Sequence, residues 1–211
     1  MDQAENLRNI IKKQNQRDVG NARVIAVTSG KGGVGKSSVS INLAVQFARM
    51  GKKVIILDAD FGLANIEVMF GVIPKYNLSD LMLNGMDIKD IITDGPEGVK
   101  FISGGSGIAK LVNLDKEQVK RLVNKLSELE SMADVIIIDT GAGISASVME
   151  FLVASPETIL VTTPEPTSIT DSYALMKALS MNESFRKNET SIKMIANRVT
   201  SVSYTHLRAH E

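Results

Sequence analysis

The stretch Gly30-Lys31-Gly32-Gly33-Val34-Gly35-Lys36-Ser37 decides how this chain is read. It matches G-x-x-x-x-G-K-[ST], a pattern that carries weight when a strand precedes it and a helix follows. Both are expected here. Arg23 to Thr28 is an apolar, β-branched run, and Lys36 to Met50 reads as a helix ended by Gly51. The chemistry accounts for the residue types. Glycines let the backbone turn its N–H groups toward phosphate oxygens. The helix adds the partial positive charge of its N-terminus. Lys36 is expected to reach the β- and γ-phosphates, the Ser37 hydroxyl to coordinate Mg²⁺, and Ser38 to contact the α-phosphate. ATP and Mg²⁺ are therefore the expected cofactors. The bland alternative is a glycine-rich turn that binds nothing, and the flanking strand and helix weigh against it.

Working outward, further Val- and Ile-rich runs read as strands covered on both faces: Lys53 to Leu57, Val99 to Ser103, Val135 to Ile138, Thr158 to Thr162 and Ile192 to Ala196. Helices are expected between them. Asp115 to Glu130 carries Val119, Leu122, Val123, Leu126 and Leu129 at helical spacing, with Asp115 and Gln118 fitting an N-terminal cap. Pro166 to Ser180 is a further helix. The rhythm implies an α/β fold, a mostly parallel sheet with helices on both faces.

Acidic residues fall where such a sheet would use them. Asp58-Ala59-Asp60 closes the second strand, and carboxylates at strand C-termini sit beside bound phosphates. Asp139, after Val135 to Ile138, reads as the aspartate that holds Mg²⁺ through water. Thr140, Gly141, Ala142 and Gly143 then form a turn suited to sensing a γ-phosphate. The alternative for these aspartates is ordinary strand-end capping.

Lys31 puts a second lysine inside the loop. With KGGVGKS the chain resembles the deviant Walker family of septum-positioning MinD, partition ATPases and nitrogenase iron protein, over nearly all of residues 23 to 200. That resemblance implies that Lys31 crosses a dimer interface to the partner's nucleotide. It implies that Asp58 supports the Mg²⁺ shell and that Asp60 positions the attacking water. It also implies that Asn197 reads adenine, although an Asn after a strand is commonly a turn residue. Asp58 to Asn65 (DADFGLAN), the segment DTGAGI from Asp139 and the start MDQAENLR resemble the FlhG family, also called FleN or YlxH, MinD-like ATPases that regulate flagellar number and placement. The family implies an ATP-dependent homodimer and a partner GTPase of the signal-recognition type, FlhF, with flagellar basal-body components as further partners. It also implies a membrane-binding C-terminal helix, which would lie past this sequence. Asp2, Gln3, Ala4, Leu7 and Arg8 match its D-Q-A-x-x-L-R activator motif, with Gln3 offered to the GTP site. The nearest alternative is a septum-site MinD proper, and the arm at residues 2 to 8 speaks against it.

Composition narrows the field. Lys plus Arg and Asp plus Glu number 24 each, so no net charge draws the 211-residue chain toward nucleic acid. That argues against a DNA-partition role. The absence of cysteine excludes thiolate metal sites and argues against an iron–sulfur carrier. No apolar run approaches the ~20 residues of a membrane span, and no signal-peptide core is seen, so a cytoplasmic location is expected. Residues 1–22 are expected to be an activator arm and linker, and 23–201 the ATPase domain. Val202 to Glu211 (VSYTHLRAHE) resembles a translated adapter sequence and is set aside, so the natural protein is expected to continue past about Ser201 and the domain to be incomplete at its C-terminus.

Overall fold

The computed structural model describes residues 22–61, 65–105, 116–185 and 189–200. The activator residues Asp2 to Arg8, the cap residue Asp115 and the tail from Ser201 lie outside them.

Seven strands form one sheet in the order β3-β4-β2-β5-β1-β6-β7. They are β1 (Arg23–Ser29), β2 (Val54–Ala59), β3 (Thr93–Asp94), β4 (Lys100–Ile102), β5 (Val135–Ala142), β6 (Glu157–Thr162) and β7 (Ser191–Ala196). All pairings are parallel except β3 with β4, a short antiparallel edge. The continuous apolar runs serve both faces. Ile25, Val27, Val54, Ile56, Val135 and Ile137 point into one core, while Ile55, Leu57, Ile136 and Ile138 point into the other. This is the period of two applied to central strands covered on both faces.

Helix α1 (Lys36–Arg49) covers the first face with Ala44, Val45 and Phe47, and Gly51 stops it at φ 79°. That left-handed turn suits glycine. The short α2 (Asn65–Phe70) adds Ile66 and sets Phe70 edge-on to Phe101 at 5.4 Å. The second face holds α3 (Leu78–Leu83), α4 (Lys116–Leu126) and α5 (Ala146–Ala154), which contribute Leu78, Leu81, Leu122, Leu126 and Phe151. Helix α6 (Pro166–Ser180) packs Leu175 and Leu179 beside Ala26 and Leu160. The expected α/β architecture is thus present.

Three α-helices and the two-residue strand β3 escape the sequence reading. Helix α5 (ASVMEFLVA) is apolar nearly all round and shows no stripe; Ser145 caps it by accepting from the Val148 N–H. Helices α2 and α3 are only six residues long; Asn77 and Asp80 close a capping box at the start of α3. One expectation needs correcting. β7, expected to be covered on both faces, has five of its six residues exposed, with Met194 65% accessible. Among the described residues it pairs only with β6, at the edge of the sheet, and α6 lies against β6 and β1.

The strand order positions the site. The chain passes from β1 to β2 across the place that β5 later fills, and reaches β6 on the other flank of β1. Loops at the C-terminal ends of β1, β2 and β5 therefore converge at a topological switch point, where ligands of such sheets bind.

Candidate nucleotide-binding site

The loop after β1 owes its shape to its glycines. Gly33 and Gly35 take left-handed φ values of 75° and 97°. A Cβ on Gly30 would run into the backbone of Asp171 and Ser172 in α6, and one on Gly35 into the Asn197 amide. The Ser29 hydroxyl donates to the Lys31 carbonyl at 2.8 Å. Lys36 opens α1 and is buried, at 8% exposure. Ser37 is half-buried and Ser38 exposed, both in the first turn.

The two strand-end aspartates stand side by side, since Asp58 on β2 and Asp139 on β5 are register partners. Both are fully buried. Asp58 accepts from the backbone N–H of Ile66 at 3.1 Å and of Asp60 at 3.2 Å, which fixes the start of α2. Burial nevertheless pushes its carboxyl up to about 7, against those two hydrogen bonds. Burial also raises the Asp139 carboxyl, opposed first by the Lys36 ammonium and then by the Ser37 and Ser40 hydroxyls. Asp139 Oδ1 accepts from Ser40 Oγ at 2.9 Å, whereas its Oδ2 is buried with no partner. An orphaned buried carboxylate oxygen costs about 1–3 kcal/mol or more, so the residues present fit a cation. Among the described residues no three acidic, histidine or cysteine side chains group to hold an ion alone. A Mg²⁺ ion held by Ser37, Asp139 and the neighbouring Asp58 would take the rest of its shell from phosphate and water oxygens, as Mg²⁺ commonly does.

Asp60 lies at the mouth of the site. Asn65 Nδ2 approaches its Oδ2 at 3.5 Å, and Gly141 lies beside it. The Thr140 hydroxyl is spent on backbone: its one proton is within reach of the carbonyls of Val27 at 3.1 Å and Gly141 at 2.9 Å. Thr140, Gly141 and Ala142, expected as a turn, instead extend β5, and Gly143 follows them with its N–H on the Ser29 carbonyl at 2.9 Å. Asn197 is brought to the loop. Its Nδ2 donates to the Val34 carbonyl at 2.8 Å, leaving Oδ1 and the second amide hydrogen for a ligand.

Lys31 points along the protein's own surface. Its ammonium donates to Glu165 Oε2 at 3.1 Å and Thr167 Oγ1 at 2.9 Å, at the start of α6. Glu165, Thr167 and Ser40 were missed in the sequence. Ser40 was legible in principle, because it lies four residues after Lys36 and hence on the same helix face. Glu165 and Thr167 carried no signal beyond starting a helix.

A phosphate-binding loop, a buried lysine and paired carboxylates at the switch point define a P-loop nucleotide-binding protein. The chain belongs to the AAA-domain family, whose model matches residues 22–193. It is 42% identical over 179 residues to antiactivator FleN of Pseudomonas aeruginosa, covering 85% of this chain and 62% of FleN. It is 40% identical over 203 residues to the flagellum site-determining protein YlxH of Helicobacter pylori, covering 93% of this chain and 66% of YlxH. The likeness to FleN and YlxH expected from Asp58 to Asn65 and the MDQAENLR start is borne out. The chain spans less than two thirds of either relative. Among solved structures it resembles the septum site-determining protein MinD of Pyrococcus horikoshii, complexed with Mg-ADP, at 30% identity and a TM-score of 0.72, covering 85% of this chain and 71% of that one. The fold is of the MinD type.

Proposed function

We propose that the chain is the ATP-binding part of a dimerisation switch that controls flagellar number and placement. The carrying observation is the loop Gly30 to Ser37, seated between β1 and α1 with Lys36 buried beside Asp139. The name of YlxH, at 40% identity, supports the flagellar setting. In this reading Gly30 to Ser38 hold the phosphates, Lys36 binds the β- and γ-oxygens, and Asn197 offers its carboxamide to the adenine. Ser37, Asp58 and Asp139 hold Mg²⁺, which when bound neutralises phosphate charge. Asp60 orients the attacking water.

Lys31 supplies the switch. Its contacts with Glu165 and Thr167 are exposed, so releasing them costs little. On dimerisation with ATP, Lys31 leaves them for the partner's nucleotide across a two-fold axis. The N-terminal residues Asp2, Gln3, Ala4, Leu7 and Arg8 activate the GTPase FlhF, with the Gln3 amide orienting the attacking water. Basal-body components are further partners, and a C-terminal helix beyond this sequence carries the complete protein to the membrane.

Two assays separate these roles, one on the complete protein and one on a peptide. Asp60→Ala should abolish ATP hydrolysis and leave GTPase stimulation intact. A peptide of residues 1–20 should accelerate GTP hydrolysis by the cognate GTPase, and its Gln3→Ala form should not. An inert peptide would remove the catalytic role of Gln3, and ATP turnover undiminished in Asp60→Ala would remove that of Asp60.

A further inference from the structure

The Ser40 hydroxyl is fully buried in the middle of α1. Serines inside helices commonly turn back on the carbonyl four residues earlier, and the Lys36 carbonyl is available at 3.2 Å. Asp139 Oδ1 is closer, at 2.9 Å. A hydroxyl has one proton to give, and a carboxylate attracts it more strongly than a neutral carbonyl. The helix therefore reaches across to β5 through this side chain. The consequence falls on the other oxygen: with Oδ1 tied, Asp139 Oδ2 is left buried and unpartnered.

We infer that Ser40 is a positioning residue, whose hydroxyl holds Asp139 so that Oδ2 stays free for the water shell of a nucleotide-bound divalent cation. The inference rests on the magnesium-nucleotide reading of the site. Ser37 and Ser40 lie three residues apart, one turn along α1, and both hydroxyls act on the Asp139 carboxyl. Ser37, at the loop, is the one that turns to the cation. Ser40, a turn deeper, is then the hydroxyl left to fix the carboxylate. A carboxylate that faces the ion's water shell and is held by one hydrogen bond keeps a single orientation, and losing an outer bond of this kind typically weakens metal binding about 10–100-fold.

The test uses the complete protein and its Ser40→Ala and Ser40→Cys variants. ADP binding is measured by calorimetry in EDTA and across a series of Mg²⁺ concentrations, with thermal unfolding in EDTA as the control on folding. Ser40→Ala should bind ADP in EDTA as wild type does, yet need about tenfold or more Mg²⁺ to reach half of its tightening. Ser40→Cys keeps the shape and a weak donor, so it should fall between the two, and it remains readable if alanine disturbs the helix. An unchanged Mg²⁺ midpoint in both variants would overturn the inference alone, as would an equal loss of ADP affinity with and without Mg²⁺. A wild type whose ADP binding ignores Mg²⁺ would overturn the reading of the site as well.

Discussion

The two halves of the site are built differently. The inner half, Lys36, Ser40, Asp58 and Asp139, is buried between α1 and the centre of the sheet, and each side chain is fixed by strand register or by helix spacing. The rim, with Lys31 and Glu165, stands in solvent, its side chains 40% and 59% exposed. Burial makes each inner contact strong and hard to rearrange. Exposure makes the rim pair weak and exchangeable. The inner half is thus suited to binding and the rim to changing partners.

The inner half should break first. On the proposed reading, Lys36→Ala removes a charge-assisted phosphate contact worth on the order of 1.5–3 kcal/mol. Calorimetry should show ATP affinity falling at least tenfold while the unfolding temperature is kept. Gly30→Ala comes next. Its methyl would meet the Asp171–Ser172 backbone, which has no flexible end to move aside. Overpacking of this kind costs about 1–3 kcal/mol, readable as a lower unfolding temperature even without nucleotide.

A smaller effect follows from Asp58. Its folded-state carboxyl is raised to about 7 by burial, so the folded chain binds a proton that the unfolded chain releases nearer 4. Between those values stability contributed by this group falls as pH rises. Metal-free protein should therefore unfold at a higher temperature near pH 5.5 than near pH 7.5. Mg²⁺ with ADP should shrink the difference, because a cation favours the ionised aspartate. The rim gives the smallest stability effect. Glu165→Ala should change the unfolding free energy by about 0–1 kcal/mol, yet lower the ATP concentration at which the protein dimerises, since Lys31 is already released.

The same contrast marks what the sequence could reveal. The loop and Asp58 and Asp139 were legible because their chemistry demands fixed spacing after a strand. The α/β order was legible because buried strands leave unbroken apolar runs. Helix α5 was not, because a sequence apolar nearly all round shows no stripe, although only Val148, Phe151 and Leu152 are buried. Glu165 and Thr167 lie 134 and 136 residues from Lys31, and no local rule joins side chains over such distances. The exposure of β7 was hidden for a similar reason: composition reports that a strand is apolar, not whether it sits at an edge.

Light scattering of the complete protein with saturating ATP, compared with its Lys31→Ala variant at equal nucleotide occupancy, tests the division of labour most directly. The expected result is a dimer for wild type with ATP, a monomer with ADP, and a monomer for Lys31→Ala with ATP bound as tightly as in wild type. Dimers in both proteins, or loss of ATP binding in Lys31→Ala, would contradict it.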